Sequence, residues 1–428
     1  MPIEELYALY LQHPAVETDT RKLRPGTIFF ALKGGNFNGN TFARQAIDAG
    51  AVAAVIDDPA YVIDGKTILV NDVLTTLQEL ARHHRSQFKI PFIAITGSNG
   101  KTTTKELIHA VLSAHYRTYT TEGNLNNHIG IPLTLLKVRS DAEMAVIEMG
   151  ANHQREIAGY CRYALPTHGL ITNVGKAHLE GFGGEEGVRK GKGELFDYLR
   201  TIADGTVFVN WDYDYLHDMS KGINTIVKYG TQAGVQVQGN ILQSDPFLVV
   251  NMETEFSIKK IPTQLVGAYN LPNVLAAVAV GKHFNVPEKT IVSALGQYTP
   301  SNSRSQLLRK DTNTIILDAY NANPSSMKLA IENFARLQAS DKVLLLGAMA
   351  ELGAGSIDEH KAIVDLIAQY QWKDVALVGG DFLRFEHPYH RFANVAEARS
   401  WWQAQQFTHT SFLIKGSRSM QMEKILEP

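Results

Sequence analysis

Residues 96–104 read TGSNGKTTT and form the segment of this chain whose residue types and spacing best suit a chemical task. They follow an apolar run at residues 92–95 and precede a helical pattern, which is the order of a phosphate-binding loop. Backbone N–H groups of such a turn point at phosphate oxygens, Lys101 reaches the terminal phosphates, and Thr102 offers a hydroxyl to Mg²⁺. The segment therefore predicts a nucleoside triphosphate site.

This loop is shorter than the usual phosphate loop, because Ile95 stands where the longer pattern has its first glycine. An Asn-Gly turn that leads into a helix would have the same appearance, since Asn99 and Gly100 form a good turn pair by themselves. A lysine and three threonines at a strand-to-helix junction favour the phosphate loop over that alternative.

Glu148, His178 and two lysines are the other candidates for chemistry. Glu148 ends the apolar run AVIEMG, so its carboxylate is expected at the carboxyl edge of a sheet, where it could hold Mg²⁺. Taken alone, that position more often carries an acidic residue that simply closes a strand. His178 lies among several glycines, which favours a functional loop, although Mg²⁺ prefers oxygen ligands. Lys190 and Lys192, in GVRKGKGELF, are by spacing alone an exposed basic turn.

The elements that must position these residues form three α/β segments. In the middle segment, short apolar runs alternate with helical patterns, which is typical of a mostly parallel sheet covered by helices. The last segment repeats this rhythm, and the first is smaller. Breaks at residues 88–91 (FKIP) and 299–303 (TPSNS) predict domains at residues 1–88, 89–301 and 302–428. We expect a small N-terminal α/β domain, a central P-loop-type ATPase domain and a C-terminal Rossmann-like domain.

Composition places the chain among ordinary globular proteins. Its 428 residues are 44% hydrophobic and 20% charged, and a formal charge of -2 gives no global field that would attract nucleic acid or an acidic membrane. The single cysteine, Cys161, excludes an internal disulfide and fits a reducing compartment. The start MPIEELYALYLQHP has no basic n-region, and no run approaches the ~18 apolar residues of a spanning helix. We expect a cytoplasmic protein that binds neither nucleic acid nor membrane.

Six separated motifs resemble the Mur ligase family in order and spacing: TGSNGKTT, VIEMGA, NVGKAHLEGFG, KGKGELF, GAYNLPNVLAA and DAYNANPSSM. The stretches DTRKLRPGTIFFALKGGNFNGNTFA, EGNLNNHIGIPLTLL and LIKGSRSMQME extend the resemblance over all three segments. It implies an ATP-dependent amide ligase of cytoplasmic peptidoglycan precursor synthesis, with ATP and Mg²⁺ as cofactors. Such an enzyme adds D-alanyl-D-alanine to UDP-N-acetylmuramoyl-tripeptide through an acyl phosphate and releases ADP and phosphate. A monomer is expected.

The resemblance also implies roles for individual residues. Lys192, rather than Lys190, matches the lysine that is carbamylated in several members of the family. The catalytic candidates are Lys101, His178, Lys192, Arg304 and Asp318. The candidates for holding the metal are Thr102, Glu148, His178 and Lys192. The nucleotide-binding candidates are Thr96, Gly97, Ser98, Asn99, Gly100, Lys101, Thr102, Thr103, Asn270, Asn273, Arg304 and Asp318.

Substrate-binding roles are implied in the same way. The candidates for holding the UDP-sugar are Thr20, Arg21, Lys33, Gly34 and Asn38. The candidates for lining the path of the muramoyl-peptide are Asn126, Asn127 and His128. The candidates around the incoming dipeptide or the closed domain interface are Tyr320, Asn321, Asn323, Lys415 and Arg418.

Simpler explanations exist for several of these residues. Asn270 and Asn273 could cap a helix, Arg304 could be a solvated linker charge, and Asp318 could close a strand. The family commonly has an acidic residue in its LGxMxELG motif where this chain has Ala348, which puts in doubt any role for that side chain.

Two other functions compete with this assignment. One is a different amide ligase of the same superfamily, such as a folylpolyglutamate synthase or an enzyme that adds another amino acid to the muramoyl-peptide. The motifs DAYNANP and DTRKL argue against it. The other is a nucleotide-switched binding module.

Overall fold

The computed structural model describes residues 1–253, 256–301 and 303–427 of the protein. Asn302 and Pro428, at the predicted start and end of the C-terminal domain, lie outside these ranges. Three α/β units follow one another along the chain, and each is built around its own main sheet. This is the architecture that the alternation of apolar runs and helical patterns predicts.

The N-terminal unit is the smallest of the three. Its helices are α1 (Ile3–Gln12), α2 (Ala43–Asp48) and α3 (Val73–Ser86). Its strands are β1 (Val16–Glu17), β2 (Ile28–Phe30), β3 (Lys33–Gly34), β4 (Phe37–Asn38), β5 (Ala53–Ile56) and β6 (Thr67–Leu69). The main sheet is parallel with the order β1-β2-β5-β6, and β3 pairs with β4 in a small antiparallel hairpin.

Helix α3 joins this unit to the next. Its N-cap residue is Asp72, whose side chain accepts a hydrogen bond from the backbone N–H of Thr75 at 2.6 Å. Near its end, the buried Arg85 donates to the backbone carbonyls of Ala164 and Leu165 at 3.1 and 2.8 Å. A continuous apolar core runs from Leu6 in α1 through α3 into the central unit.

The central unit holds the largest sheet. Its helices are α4 (Lys101–Ser113), α5 (Gly130–Lys137), α6 (Glu156–Ala164), α7 (Leu179–Phe182), α8 (Glu185–Arg200), α9 (Asp214–Ser220), α10 (Leu271–His283) and α11 (Glu288–Gln297). Its strands are β7 (Phe92–Thr96), β8 (Thr118–Thr120), β9 (Met144–Glu148), β10 (His168–Ile171), β11 (Thr206–Asn210), β12 (Thr225–Gly230), β13 (Val237–Gln243), β14 (Val249–Met252) and β15 (Lys260–Pro262).

The strand order of this sheet is β15-β14-β13-β12-β11-β10-β7-β9-β8. Strands β7 to β13 run parallel, and each residue of β7 and β9 is buried because helices cover both faces. The carboxyl ends of β7, β9 and β10 therefore meet at one edge. Strands β14 and β15 continue the sheet in antiparallel fashion, a feature that the sequence analysis does not foresee.

The C-terminal unit has a mostly parallel sheet of order β16-β17-β21-β18-β19-β20, in which β16 alone is antiparallel to its neighbour among the described residues. Its strands are β16 (Gln306–Lys310), β17 (Asn313–Asp318), β18 (Lys342–Gly347), β19 (Asp374–Val378), β20 (His390–Phe392) and β21 (Ser411–Lys415). Its helices are α12 (Pro324–Arg336), α13 (Ser356–Ile367) and α14 (Val395–Ala404). Across the described part of the chain, no helix is both long and apolar enough to cross a membrane.

Candidate active site

The phosphate loop connects β7 to α4 and packs tightly against the loop that follows β10. Gly97 has φ +139°, and a Cβ there would lie 2.0 Å from the hydroxyl of Thr172. Gly100, at φ +79°, precedes the first residue of α4. The backbone N–H of Asn99 donates to the side-chain oxygen of Asn173 at 3.0 Å. The two glycines are thus required by the shape of the loop.

Lys101 folds back onto this loop. Its Nζ donates to the carbonyl of Gly97 at 2.6 Å and to that of Ser98 at 3.2 Å. Burial lowers the pKa of Lys101, while the nearby Glu148 opposes that shift and Arg304 adds to it. The ammonium therefore occupies the mouth of the loop, beside the carboxylate of β9.

Glu148 is the centre of a buried hydrogen-bond network. One carboxylate oxygen, Oε1, accepts from the hydroxyl of Thr102 at 3.1 Å and from the amide of Asn126 at 2.8 Å. The other, Oε2, is buried and has no hydrogen-bond partner in the described structure. A buried carboxylate oxygen without a donor suits a hard divalent cation.

A cation at Glu148 would need oxygen ligands from elsewhere. Among the residues that the structure describes, no group of three or more His, Cys, Asp or Glu side chains could hold a metal ion. The Thr102 hydroxyl donates a hydrogen bond to the Glu148 carboxylate, so these two groups are the ligands that the protein offers a cation here. Phosphate oxygens and water would supply the rest, as is usual for Mg²⁺.

Lys192 lies on α8 and is fully buried, so the exposed turn considered above does not describe it. Its Nζ donates to the carbonyl of Ala151 at 3.0 Å and lies 4.8 Å from the centre of the Phe182 ring. Burial, and next the charge of Lys101, hold the pKa of Lys192 well below the ordinary lysine value. Lys192 is thus easier to deprotonate here than a lysine in water.

His178 meets a residue of the C-terminal unit. Its Nδ1 lies against Oε2 of Glu351, and the interaction with this ring lowers the pKa of the Glu351 carboxyl. The sequence analysis groups His178 with Glu148 around a metal, but it does not connect His178 with Glu351. The two residues lie 173 positions apart, and the sequence between them carries no local pattern that would have revealed the contact.

Other contacts of the C-terminal unit reach the same two loops of the central unit. The amide of Asn323 donates to the side-chain oxygen of Asn99 at 2.7 Å. Lys176 forms an ion pair with Glu359 at 2.6 Å, and its backbone N–H donates to the hydroxyl of Ser325 at 3.3 Å. The C-terminal unit is therefore docked directly over the phosphate loop and the loop after β10.

Arg304 and Asp318 lie where the chain enters the C-terminal unit. The guanidinium of Arg304 stacks over the Tyr320 ring at 3.6 Å, and that of Arg418 lies 5.9 Å from the same ring. Asp318 accepts from the buried Lys415 at 2.6 Å. Asp318 and Lys415, predicted for the nucleotide and the dipeptide, are thus bonded to each other. The remaining dipeptide candidate is the exposed Asn321, whose carbonyl accepts from Lys415 at 3.1 Å.

Asn270 and Asn273 are buried behind the phosphate loop. Asn273 accepts a hydrogen bond from the hydroxyl of Thr104 at 3.0 Å and donates to Asn270 at 2.9 Å. Asn270 in turn donates to the carbonyl of Val266 rather than capping α10. A Cβ at Gly100 would approach Asn273 to 2.8 Å, so this pair helps to fix the start of α4.

The UDP-sugar candidates lie in two places of the N-terminal unit, the β3–β4 hairpin and a short turn before β2. Lys33, which pairs with Asn38 across the β3–β4 hairpin, forms an ion pair with Asp57 at 2.8 Å. The Phe37 ring packs on Gly34. Thr20 and Arg21 form the start of a short 3₁₀ turn capped by Asp19, and Arg21 forms an exposed ion pair with that residue.

The muramoyl-peptide candidates lie between the N-terminal and central units. Asn126 bonds Glu148 as described above, and Asn127 accepts from the backbone N–H of Gly130 at the start of α5. The carbonyl of His128 accepts from Gln78 of α3 at 3.0 Å. His128 also lines a cavity of about 490 Å³ between α3 and α6.

Three residues around Glu148 are absent from the sequence-based candidates. Lys105, fully buried on α4, donates to the carbonyl of Thr121 at 2.5 Å, and the Thr121 hydroxyl accepts from the backbone N–H of Glu148 at 3.0 Å. Thr104 contacts Asn273. Lys105 follows three threonines and precedes Glu106, so its neighbours in the sequence gave no signal that it is buried.

Three family models match successive parts of this chain. The model described as Mur ligase family, catalytic domain, matches residues 14–91. The Mur ligase middle domain model matches residues 95–281, and the model described as Mur ligase, glutamate ligase domain, matches residues 303–418.

Individual proteins are similar over nearly the whole chain. A protein of Bacillus subtilis named UDP-N-acetylmuramoyl-tripeptide--D-alanyl-D-alanine ligase is 35% identical over 431 residues, which covers 96% of this chain and 92% of that protein. The protein of the same name in Escherichia coli is 35% identical and covers 99% of this chain and 95% of its own length. A crystal structure of MurF from Acinetobacter baumannii matches with a TM-score of 0.87 at 31% identity, covering 96% of this chain and 92% of that one.

Proposed function

Because this chain belongs to the Mur ligase family, we propose that it is an ATP-dependent amide ligase that joins D-alanyl-D-alanine to UDP-N-acetylmuramoyl-tripeptide. The relatives from Bacillus subtilis and Escherichia coli are named for this reaction. The single observation that carries the proposal is the phosphate loop beside Glu148, whose free carboxylate oxygen faces the same buried site as Lys101.

Each unit has a separate task in this proposal. Residues 1–88 hold the UDP-sugar, residues 89–301 hold ATP, and residues 302–428 bring the dipeptide. The cavity beside His128 supports the first of these tasks, since it lies between α3 of the N-terminal unit and α6 of the central unit. The enzyme is proposed to act as a monomer in the cytoplasm.

Amide formation from a carboxylate is uphill in water, so the carboxylate must first acquire a better leaving group. The peptide carboxylate attacks the γ-phosphorus of ATP, the bond to the β–γ bridging oxygen breaks, and an acyl phosphate and ADP form. The amine of D-alanyl-D-alanine then attacks the acyl carbon, phosphate leaves, and the amine loses a proton. Lys101 and the N–H groups at the start of α4 stabilise the charge on the transferring phosphoryl group.

Mg²⁺ fits this site through Thr102 and the free oxygen of Glu148, and when bound it would neutralise charge on the phosphates. To reach a phosphate, Nζ of Lys101 must leave the carbonyls of Gly97 and Ser98, which it bonds at 2.6 and 3.2 Å. Docking of the C-terminal unit then holds the reactants together and excludes water.

Lys192 would act as a carbamate. A neutral buried amine can attack CO₂, forming an N–C bond and releasing a proton, which converts the side chain into an anion. The lowered pKa supports this step because the protonated amine has no free electron pair. In the carbamate form Lys192 would present a carboxylate-like group to the cation site.

The proposal is tested by incubating the protein with ATP, Mg²⁺, D-alanyl-D-alanine and candidate UDP-muramoyl-tripeptides. We expect phosphate release that requires both the tripeptide and the dipeptide, and a product heavier than the acceptor by one dipeptide less water in the mass spectrum. Comparison of acceptors that differ in their third residue identifies the natural one. Phosphate release without the dipeptide would instead indicate a nucleotide-switched module.

A further inference from the structure

We propose that Lys105 is a positioning residue that acts through Thr121 to hold the Glu148 carboxylate in the orientation that binds Mg²⁺. Lys105 is fully buried on α4. It lies three residues after Thr102, so the two side chains share one face of that helix. Thr102 bonds Glu148 at the end of β9, and Lys105 bonds Thr121 just after β8. One helix face therefore contacts the ends of both strands.

Two hydrogen bonds connect Lys105 to the backbone of Glu148. The ammonium donates to the carbonyl of Thr121 at 2.5 Å, and the Thr121 hydroxyl accepts from the backbone N–H of Glu148 at 3.0 Å. Thr121 lies just beyond Thr120, the last residue of β8 that pairs with β9. The Thr121 side chain thus extends the attachment of the two strands to the residue that carries the carboxylate.

The segment that begins at Thr121 also contacts the Glu148 carboxylate itself. Five residues further along, the amide of Asn126 donates to Oε1 of Glu148 at 2.8 Å. Because Asn126 and Thr102 both bond Oε1, Oε2 is the oxygen left without a partner in the described structure. A shift of Thr121 would therefore disturb both the backbone and the carboxylate of Glu148. Lys105 restrains that shift.

Stability alone does not account for a lysine at this position. The Lys105 ammonium is paired with Glu106 at 2.7 Å. Burying an ion pair costs desolvation energy, however, and well-packed apolar residues often stabilise a fold equally well. An apolar side chain could not donate to the Thr121 carbonyl. The lysine is explained by the donor that it supplies where α4 meets the end of β8.

This inference rests on the proposed function in one respect, since the phosphate loop must bind a nucleotide together with Mg²⁺. It does not depend on which two molecules the protein joins. Its test therefore uses ADP and Mg²⁺ alone, without the acceptor or the dipeptide.

The first experiment measures the Kd of ADP by titration calorimetry, once in excess EDTA and once in excess Mg²⁺. The ratio of the two constants, called here the Mg²⁺ enhancement, reports how well the site binds the ion. Groups that orient a metal ligand typically contribute about 10–100-fold to metal affinity, so Lys105→Met should lose at least about tenfold of the enhancement, or all of a smaller one. The Kd in EDTA should stay near its wild-type value. Equal Mg²⁺ enhancement in Lys105→Met and wild type, or none in the wild type, would overturn the inference.

His109→Leu is the matched control. His109 lies one turn further along α4, and its Nε2 donates to the carbonyl of Thr118, the first residue of β8, at 3.3 Å. The variant therefore removes a bond between the same helix and the same strand, but at the end away from Glu148. We expect the wild-type Mg²⁺ enhancement. An equal loss in His109→Leu and Lys105→Met would show a general loosening of β8 and would overturn the specific role of Lys105.

Thr121→Val tests the route from Lys105 to Glu148. It keeps the carbonyl that Lys105 bonds but removes the hydroxyl that accepts from Glu148. If Lys105 acts through Thr121, the variant with both substitutions should lose no more Mg²⁺ enhancement than the more affected single variant. Losses that multiply would show two independent effects and would contradict the route.

Thermal unfolding identifies any variant that does not fold. If Lys105→Met is one of them, Thr121→Val provides the decision, because it leaves the buried lysine in place. A lowered Mg²⁺ enhancement in Thr121→Val would then support the inference, and a wild-type enhancement would overturn it.

Ligation separates this inference from the proposed function. A protein that loses the Mg²⁺ enhancement in Lys105→Met but forms no amide product as the wild type would contradict the proposed function and leave the Lys105 assignment standing. A wild type that ligates normally, with full Mg²⁺ enhancement in Lys105→Met, would contradict the assignment alone.

Discussion

The Nζ of Lys101 donates hydrogen bonds to the carbonyls of its own phosphate loop. We predict that Lys101→Ala lowers kcat for ligation by about 100–1000-fold, since it removes a cation from the transferring phosphoryl group. The temperature of unfolding should fall modestly, because the carbonyls of the buried Gly97 and Ser98 lose this donor. Phosphate release under saturating substrates measures the loss. Lys190→Ala, at an exposed lysine, is the control and should keep wild-type kcat.

Lys192 makes stability depend on pH. Burial lowers its pKa in the folded chain, whereas in the unfolded chain the value returns to about 10.4. Between these two pKa values the unfolded state binds the additional proton, so this residue makes the free energy of unfolding rise with pH, by at most about 1.4 kcal/mol per unit. Below that window the cost of burying the amine is constant.

Lys192→Met lacks this titration. We therefore predict that its stability relative to the wild type is greatest at lower pH and declines as pH rises towards about 10.4. Urea unfolding at several pH values in CO₂-free buffer measures the difference, with Lys190→Met as the exposed control. A difference between Lys192→Met and wild type that does not change with pH would show that the amine is charged when folded.

The residues that could be predicted from sequence are those whose neighbours are close in the chain or share a sheet edge. Lys101, Thr102 and Glu148 are expected together because strands β7 and β9 end at one edge, and the structure joins Thr102 to Glu148. The pairing of Asp318 with Lys415 could not be predicted from the sequence, because it requires β17 to lie beside β21. The roles of these residues in catalysis remain predictions.

The turn between β7 and α4 depends on a close approach at Gly97. We predict that Gly97→Ala lowers the free energy of unfolding by about 1–3 kcal/mol and abolishes nucleotide binding, because the added Cβ would overlap the Thr172 hydroxyl. Urea unfolding and nucleotide titration measure the two effects.

Gly65→Ala is the control for backbone conformation alone. Gly65 has φ +66°, but nothing lies within 4 Å of the position of an added Cβ. It should lose only about 1 kcal/mol and bind nucleotide normally. Equal losses in the two variants would mean that the contact with Thr172 is unimportant.

Helices and buried parallel strands follow closely from the sequence, because apolar runs such as FIAIT and MAVIEMG are buried on both faces. Strands β13 to β15 are harder to foresee. Val237–Gln243 has only two buried residues, and no helix separates it from its antiparallel neighbour. Such a pattern does not differ from that of a surface loop.

Several polar contacts join the C-terminal unit to the phosphate loop and the loop after β10. We predict that Glu359→Lys, which places a second cation beside Lys176, weakens docking and increases the radius of gyration measured by small-angle X-ray scattering. Ligation should fall in parallel. Asp365→Lys makes the same charge change at an exposed position of α13 and should leave both unchanged. Equal radii for the two variants would show that this ion pair does not hold the units together.

The order of the three units could be anticipated from the breaks at FKIP and TPSNS. The way in which they pack could not, because contacts such as Asn99 with Asn323 join residues more than 200 positions apart. A single sequence carries no periodicity over that separation. Position 348 is another feature that only the structure explains. Ala348 is buried, and a Cβ added at Gly380 would lie 2.4 Å from its Cβ, so a larger acidic side chain has little room there.

The continuous apolar core that runs from Leu6 into the central unit has a calorimetric consequence. The N-terminal and central units share one core, while two further core clusters lie mainly within the C-terminal unit. Heating should therefore melt the first two units in one cooperative transition and the C-terminal unit in another. Differential scanning calorimetry of the free protein should resolve two peaks. Saturating nucleotide should bring them together, because its proposed site lies where the central and C-terminal units meet. One peak in both conditions would show that docking already couples all three units.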